Sequence, residues 1–255
     1  MRNARMAKRR SVGQVLALAM LGASLIAPGS AAAAVTANCP AMREPRLPPI
    51  EEPAANIDMH KKQLRAYHEG DYREDIKLVL DDAMAYITGQ LDKVKRPAIV
   101  LDIDETSLSN WPGIDADDFG FIKGGACPLK STLPCGFDAW IMKGHAAKID
   151  PTLTFFDAVQ SKRVAIFFVT GRRDSQRRIT VRNLRRAGFK NWTGLRTRPD
   201  DDHNTSIIPF KSGERVEIEK EGYSIIASIG DQLSDFDGGH AECGFKLPNP
   251  FYFVP

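Results

Sequence analysis

An apolar run leads directly into acidic residues in the sequence AIVLDIDET, residues 98–106. The first four residues contain no polar side chain, which is typical of a strand that is buried on both faces of a sheet. The acidic residues begin where this strand is expected to end. Residues 98–106 therefore predict a parallel-type strand whose carboxyl end carries the candidate chemistry.

Two further apolar runs have the same form. VAIFFV, residues 164–169, leads into Thr170, and SIIASI, residues 224–229, leads into GDQLSD, residues 230–235. Helical patterns separate these runs, at residues 174–187 with Asp174 as the expected N-cap and at about 212–221. The alternation of strand and helix predicts an α/β fold, a Rossmann-like three-layer sandwich with a parallel sheet covered by helices.

Segments outside this alternation have their own patterns. Residues 54–67 and 75–91 show apolar spacing typical of helices, which predicts N-terminal helices ahead of the sheet. Residues 107–150 are rich in Gly and Pro and predict an inserted cap or loop region over the strand ends. Trp111 and Trp140 lie in this insertion, where they either stack on a substrate ring or form the insertion's own small core.

The N-terminus resembles an export signal. Residues 1–34 comprise a basic start, an apolar run at 15–27 and small residues up to Ala34, which predicts a cleavable signal peptide and a periplasmic or secreted protein. The run is shorter than the about 20 residues that span a bilayer, so no stable membrane anchor is expected. Arg9 and Arg10 leave export through either the general or the twin-arginine route open. A Pro-rich extended tail, residues 35–56, precedes a single catalytic domain at 57–255.

Composition and charge exclude some functions. At 43% hydrophobic and 26% charged residues, the chain has the composition of an ordinary globular protein. The signal carries five of the 35 Lys and Arg and none of the 32 Asp and Glu, so the mature chain has 30 basic and 32 acidic residues, a net charge of −2. This balance gives no support to a nucleic acid polymer as partner, and the sequence carries no signal for an oligomeric state.

Four cysteines follow the signal: Cys39, Cys127, Cys135 and Cys243. They contain no Cys-x-x-Cys pair, which argues against a zinc site. Because an exported protein meets an oxidising compartment, we expect Cys127 to pair with Cys135 across a short loop and Cys39 to pair with Cys243. Four buried free thiols are the alternative.

The polar ends of the three predicted strands should meet, because the carboxyl ends of parallel strands share one edge of a sheet. The carboxylates that converge there are Asp102, Asp104, Asp231 and Asp235. They would repel each other unless a cation lay among them. Oxygen ligands of this kind suit Mg²⁺, which we therefore predict as the cofactor.

The same residues provide a chemistry for phosphate. Asp102 and Asp104 lie two residues apart as the strand ends, so that one can attack phosphorus as a nucleophile while the other serves as the acid and base. Thr170 is expected to hydrogen-bond a phosphoryl oxygen. Lys211, at a predicted helix start, is the expected cation for the transition state. The histidines lack an Arg-His-Gly context, which disfavours a histidine-phosphatase mechanism, and residues 200–202, a run of three aspartates, are interpreted as a solvated loop.

Four motifs occur in order in the chain: Asp102-x-Asp104-Glu105-Thr106, Thr170-Gly171-Arg172, Lys211 and Gly230-Asp231-Gln232-x-x-Asp235. This set resembles the haloacid dehalogenase superfamily over about residues 60–240. It is most similar to the secreted acid phosphatase branch, which holds the bacterial class B and C acid phosphatases and the plant vegetative storage proteins.

The resemblance implies a role for each motif residue. Asp102 would be nucleophile and metal ligand, and Asp104 general acid/base with its backbone carbonyl on the metal. Asp231 would be the third protein ligand, and Asp235 would hold the metal site directly or through water. The implied substrate-binding residues are Thr170, Gly171, Arg172 and Lys211, although Arg172 has a salt bridge within the site as its alternative role. Arg215 would either orient Asp231 or lie on a solvated helix face.

These implications predict an exported, Mg²⁺-dependent acid phosphatase that forms an aspartyl-phosphate intermediate on small phosphomonoesters, nucleotides among the candidates. Two alternatives stay open at this point. The chain could be a storage or binding protein on the same fold, although the nucleophile that degenerate members replace is present here as Asp102. It could also be a phosphotransferase, which would place the phosphate on an added alcohol instead of water.

Overall fold

The computed structural model describes residues 39–40, 42–49, 56–120, 122 and 136–254. The helices are α1 Ile57–Glu69, α2 Tyr72–Gln90, α3 Trp111–Ala116, α4 Phe137–Lys143, α5 Asp150–Ser161, α6 Arg177–Arg186 and α7 Ile208–Lys220. The strands are β1 Pro97–Leu101, β2 Leu108–Ser109, β3 Ala147–Lys148, β4 Ala165–Arg173, β5 Gly194–Arg198, β6 Ser224–Gly230 and β7 Gly244–Lys246. The predicted signal peptide, Cys127 and Cys135 lie outside the described residues.

A five-stranded parallel sheet lies at the centre of the molecule, in the order β5-β4-β1-β6-β7. The three predicted strands are its three central members, which confirms the α/β fold. The sequence analysis missed the two edge strands. β5 has the sequence GLRTR and β7 only three residues, so neither has the continuous apolar run that identified the others.

Side chains of the sheet alternate between two apolar clusters. Ile99 and Leu101 of β1 pack into the larger cluster, which receives side chains from α2, α5 and α6. Ala98 and Val100 point to the opposite face and pack with Ile218 of α7. Because successive side chains of a strand point to opposite faces, a strand covered on both sides must be apolar throughout. This explains why β1 has no polar residue before Asp102.

Two helices, α6 and α7, begin at residues other than the predicted ones. The predicted helix at 174–187 begins as a 3₁₀ turn, Asp174–Gln176, before α6. Asp174 is not its N-cap, because its carboxylate accepts a hydrogen bond from Thr197 on β5. α7 starts four residues earlier than predicted, with Pro209 in its first turn, where a missing N–H costs nothing. Lys211 consequently lies in that first turn.

The inserted segment, residues 107–150, contains α3 and α4 and a small antiparallel sheet of β2 and β3. Trp140 on α4 is 5% exposed, and Trp111 stacks on His68 of α1 with ring centroids 3.8 Å apart. Both indoles pack with the main apolar cluster, which includes residues of α1 and α2, so the expected separate small core of the insertion is wrong.

A disulfide joins Cys39 to Cys243, which confirms the predicted pairing of these two cysteines. It connects the tail ahead of α1 to the residue that precedes β7. Among the described residues, no helix combines the length and the apolar character that a membrane span requires.

Candidate active site

The carboxyl ends of β1, β4 and β6 open into a cavity of about 610 Å³. Residues from all three predicted clusters line it, among them Asp102, Asp104, Gly171, Lys211 and Asp231. The convergence expected from a parallel sheet is therefore present. The side of the cavity away from the strands includes Phe137 of α4, His203 and Tyr252, and the space is larger than a phosphate group alone requires.

Three buried carboxylates form a tight cluster, and two of them, Asp102 and Asp231, line this cavity. Asp102, Asp231 and Asp235 each offer one oxygen, and the three oxygens lie within 4.8 Å of one another. All three residues are at most 5% exposed. Asp102 continues the register of β1, since its backbone N–H donates to the carbonyl of Ile229 on β6 at 2.9 Å.

Lys211 reaches this cluster from the first turn of α7. Its Nζ lies 3.1 Å from Oδ1 of Asp102 and also donates to Oδ1 of Asp235. Burial lowers the pKa of the ammonium group, but Asp102 and Asp235 outweigh that effect and the pKa is raised. Lys211 is thus held in its charged form among the carboxylates.

One ammonium group does not balance the cluster. Burial, together with Asp235 and Asp231, raises the pKa of Asp102 well above its ordinary value, although Lys211 opposes the shift. Burial and Asp235 raise the pKa of Asp231 in the same way. Shifts of this direction mean that burial and then neighbouring carboxylates disfavour the ionised forms, which a bound divalent cation would offset. The oxygen-only donor set therefore fits Mg²⁺.

Three donors hold Asp231. Thr106 Oγ1 donates to its Oδ1 at 3.2 Å, while Gln232 Nε2 and Asn249 Nδ2 donate to its Oδ2 at 2.6 and 2.7 Å. The sequence analysis did not assign a role to Gln232 or Asn249. Asn249 lies in the C-terminal segment after β7, and no spacing in the sequence relates it to the motifs.

The turn after β6 is built around Asp235. Its Oδ2 accepts from the backbone N–H of Gln232 at 2.9 Å. A side chain on Gly230 would place a Cβ 2.0 Å from that same Oδ2, so this position requires glycine. Arg215 is fully buried and donates to the carbonyl oxygens of Asp235, Asp237 and Gly239. Both roles considered for Arg215 are wrong, because it neither touches Asp231 nor lies on a solvated face.

Asp104 lies in a separate set of contacts. Its Oδ1 accepts from Arg172 Nη2 at 2.6 Å and from Arg172 Nε at 3.0 Å. Asn110 Nδ2 donates to the same oxygen at 2.9 Å. Of the two roles considered for Arg172, the structure shows the salt bridge within the site. The guanidinium is 2% exposed and directed at Asp104.

Thr170 and Gly171 complete the predicted substrate-binding set. Thr170 is buried, and its Oγ1 accepts from the backbone N–H of Arg172 at 3.2 Å. A Cβ on Gly171 would lie 2.6 Å from Ile207 Cδ1, so the chain passes close to the loop that leads into α7. In the loop of three aspartates, Asp202 pairs with Arg198 at 2.8 Å and lines the rim of the cavity.

The fold and the site define a class of protein. The motifs that resemble the haloacid dehalogenase superfamily imply an aspartate pair at the end of the first sheet strand, with a lysine and a second acidic turn at the same edge. The site has this arrangement. The family model described as HAD superfamily, subfamily IIIB (Acid phosphatase) matches residues 37–255. The chain belongs to this family. It is an acid phosphatase, a hydrolase of phosphomonoesters.

Individual relatives agree with the family model. The chain is 34% identical to acid phosphatase 1 of Solanum lycopersicum over 185 residues, which cover 72% of this chain and 69% of the relative. It is also 34% identical to the stem 28 kDa glycoprotein of Glycine max over 190 residues, covering 73% and 71%. A crystal structure of the class C acid phosphatase from Bacillus anthracis with tungstate bound is similar, with a TM-score of 0.58, 25% identity and coverage of 76% of this chain and 86% of that one.

Proposed function

We propose that this acid phosphatase is an exported, Mg²⁺-dependent enzyme that works through an aspartyl-phosphate on Asp102. The observation that carries the proposal is the buried cluster of Asp102, Asp231 and Asp235 with Lys211 as its cation, of which Asp102, Asp231 and Lys211 line the cavity. Asp102 is the one member that directly follows the central strand β1. A small phosphomonoester that enters the cavity would therefore meet its carboxylate at the end of the sheet.

Substrate binding would use the positively charged and neutral hydrogen-bond donors at the carboxyl edge of the sheet. Lys211 Nζ, already directed at Asp102, would contact a phosphoryl oxygen and Thr170 would donate to another. The tungstate in the Bacillus anthracis relative indicates that an enzyme of this fold accepts a tetrahedral oxyanion. Mg²⁺ held by Asp102, Asp231, Asp235 and the backbone carbonyl of Asp104 would add positive charge against the phosphate oxygens.

The chemistry would proceed in two displacements. In the first, an Asp102 carboxylate oxygen forms a bond to phosphorus while the bond from phosphorus to the leaving oxygen breaks, and Asp104 gives that oxygen a proton. In the second, Asp104 takes a proton from water, whose oxygen attacks phosphorus. Inorganic phosphate leaves and the Asp102 carboxylate is restored. Arg172 would keep Asp104 oriented through both steps.

The size of the cavity bears on the substrate class. A volume of about 610 Å³ leaves room for an organic group attached to the phosphate, and Phe137 and Tyr252 offer aromatic surface to it. Nucleoside monophosphates are one class that would use both features. Sugar phosphates and aryl phosphates are the other classes to compare.

The test combines a substrate panel with one substitution. Phosphate release should be measured from pH 4 to 8, with and without Mg²⁺, for the wild type, Asp102→Asn and the control Asp201→Asn, which removes an aspartate from the loop at 200–202. We expect Asp102→Asn to lose at least about a thousandfold in rate and Asp201→Asn to stay close to wild type. Acid-quenched wild-type enzyme should carry phosphate on the peptide that contains Asp102.

Retention of more than about a hundredth of the wild-type rate in Asp102→Asn would contradict the nucleophile assignment. Phosphate transferred to an added alcohol in preference to water would favour the phosphotransferase alternative. Export has a separate test, since N-terminal sequencing of the mature protein should show cleavage near residues 32–34.

A further inference from the structure

A chain of two hydrogen bonds connects the inserted segment to Asp104. Trp140 of α4 donates from Nε1 to Oδ1 of Asn110 at 2.9 Å, and Asn110 donates from Nδ2 to Oδ1 of Asp104 at 2.9 Å. Asn110 is 1% exposed, so water does not compete for either bond. Neither Asn110 nor Trp140 is among the residues that line the large cavity. The hydrogen-bonded connection from these two residues to the candidate chemistry runs through Asp104.

Trp140 determines which way the Asn110 amide faces. An indole N–H is a donor only, so the amide atom opposite it must be the oxygen. The amide NH₂ group is then directed at Asp104, where an acceptor is available. Without the indole N–H, the amide oxygen would lose its donor, and the Asn110 side chain would lose one of the two hydrogen bonds that hold it against Asp104.

The backbone of Asn110 is fixed by a second set of contacts. Its N–H donates to Oε1 of Glu105, and Oε2 of Glu105 accepts from the hydroxyl of Tyr72 at 2.9 Å. Glu105 is fully buried and has a positive φ of 49°, a conformation that non-glycine residues rarely adopt. The turn after Asp104 thus places Asn110 through its main chain, and Trp140 orients the side chain.

The hydrogen bonds to Asp104 are distributed unequally over its two carboxylate oxygens. Oδ1 accepts three hydrogen bonds: two from Arg172, at 2.6 and 3.0 Å, and one from Asn110 at 2.9 Å. Among the residues that the structure describes, Oδ2 accepts a single hydrogen bond, from Arg172 Nε at 3.2 Å. With Oδ1 occupied as an acceptor, Oδ2 is the oxygen left to exchange a proton with the substrate.

We propose that Asn110 and Trp140 are positioning residues that hold Asp104 with Oδ1 bound by the protein and Oδ2 available to the leaving group. This inference rests on the proposed role of Asp104 as general acid. It gives the inserted segment a part in proton transfer that does not depend on contact with the substrate. Substitutions at Asn110 and Trp140 should then weaken protonation of the leaving oxygen and leave substrate affinity unchanged.

The leaving group provides the readout. Glycerol phosphate departs as an alkoxide that needs a proton, whereas nitrophenyl phosphate departs as a phenolate that needs little help. For each variant, the rate of phosphoenzyme formation is therefore measured by rapid quench on both substrates, and its concentration dependence gives the substrate Kd. The steady-state kcat is not used, because it also contains the second displacement, in which Asp104 acts whatever the leaving group. The variants are Asn110→Ala, Asn110→Ser, Trp140→Phe, the reference Asp104→Asn and the control Trp111→Phe. Trp111→Phe matches Trp140→Phe as a loss of one indole from the inserted segment, but no hydrogen bond joins the Trp111 ring to Asn110 in the described residues.

We expect Asn110→Ala to lower the rate of phosphoenzyme formation about 10- to 100-fold for glycerol phosphate and less than about threefold for nitrophenyl phosphate, with the substrate Kd unchanged, since misplacement of a catalytic group can cost about two orders of magnitude. Trp140→Phe should show the same selectivity with a smaller loss, and Trp111→Phe should show none. If Asn110→Ala does not fold, Asn110→Ser and Trp140→Phe carry the test.

If Asp104→Asn loses rate mainly on glycerol phosphate, then equal losses on both substrates in the Asn110 and Trp140 variants, or no loss at all, would overturn the inference. Equal losses in Asp104→Asn itself would show that the general-acid assignment has failed, which is a different result. Selectivity in Trp111→Phe matching that of Trp140→Phe would also overturn it, because any disturbance of the inserted segment would then suffice.

Discussion

The Nζ atom of Lys211 lies 3.1 Å from Oδ1 of Asp102, and both side chains are only 6% exposed. Because Lys211 lowers the pKa of a carboxyl group that burial raises, this contact keeps the nucleophile closer to its reactive, ionised form. The same ammonium group also bonds to Asp235. The lysine therefore has an electrostatic role before any substrate is bound.

Lys211→Met should reduce both stability and turnover. Removing one partner of a buried ion pair costs about 3–5 kcal/mol in the free energy of unfolding, and losing a donor to the transition state costs about two to three orders of magnitude in kcat. Denaturant titration in EDTA and steady-state kinetics would measure the two effects. Lys220→Met on the same helix is the control, since its side chain is 66% exposed and its ion pair with Glu217 is worth little. Equal stability of the two variants would contradict the role of Lys211.

Mg²⁺ should raise the thermal midpoint of the wild-type protein, because a ligand that binds only the folded state stabilises it by about 2.7 kcal/mol at a hundredfold excess over Kd. Asp231→Asn should abolish this shift, since it removes one of the three clustered carboxylates. Asp201→Asn should keep it. EDTA should inactivate the wild type and Mg²⁺ should restore it. Restoration by zinc alone, or no effect of chelation, would contradict the magnesium site.

The sequence predicts the catalytic edge well for a physical reason. Strands buried on both faces are largely apolar, so Asp102, Thr170 and Asp231 stand out after the three apolar runs, although β6 includes Ser228 and β4 continues to Arg173. Once the sheet is parallel, these ends have to meet. The central strands and the acidic cluster can therefore be predicted from the sequence alone.

What the sequence leaves out are the contacts that orient those residues. Asn249 reaches Asp231 from the C-terminal segment and Asn110 reaches Asp104 from the inserted segment. Single side-chain hydrogen bonds of this kind leave no periodicity or characteristic spacing in the chain. The contacts of Arg215 are not predicted for the same reason, because its partners are backbone carbonyl oxygens that have no sequence signature.

Stability should fall in acid because of His68. Burial and then Arg73 lower its pKa from 6.5 to about 4. Between these values the unfolded chain binds a proton that the folded protein does not, so this contribution to stability is complete above about pH 6.5 and is lost as pH falls towards 4. His68→Phe keeps an aromatic ring against Trp111 and should flatten the dependence in denaturant titrations across this window. The exposed His145, changed to Gln, is the control. An unchanged slope in His68→Phe would show that another group is responsible.

Loss of the Cys39–Cys243 disulfide should destabilise the protein without impairing the chemistry of the folded enzyme. The two cysteines are 204 residues apart, and closing a loop of this size contributes about 5 kcal/mol through the entropy of the unfolded chain, an upper value that measured disulfides often fall below. Neither cysteine lines the catalytic cavity. The double variant Cys39→Ser, Cys243→Ser should therefore unfold at lower denaturant concentration yet keep kcat at temperatures where it is folded. Reduction of the wild type should lower its stability by a similar amount.

Cys127→Ser with Cys135→Ser is the matched pair, because the second predicted bond closes a far shorter loop and should contribute less. Peptide mapping without reduction would identify both links, and a bond between Cys39 and Cys127 would contradict the pairing.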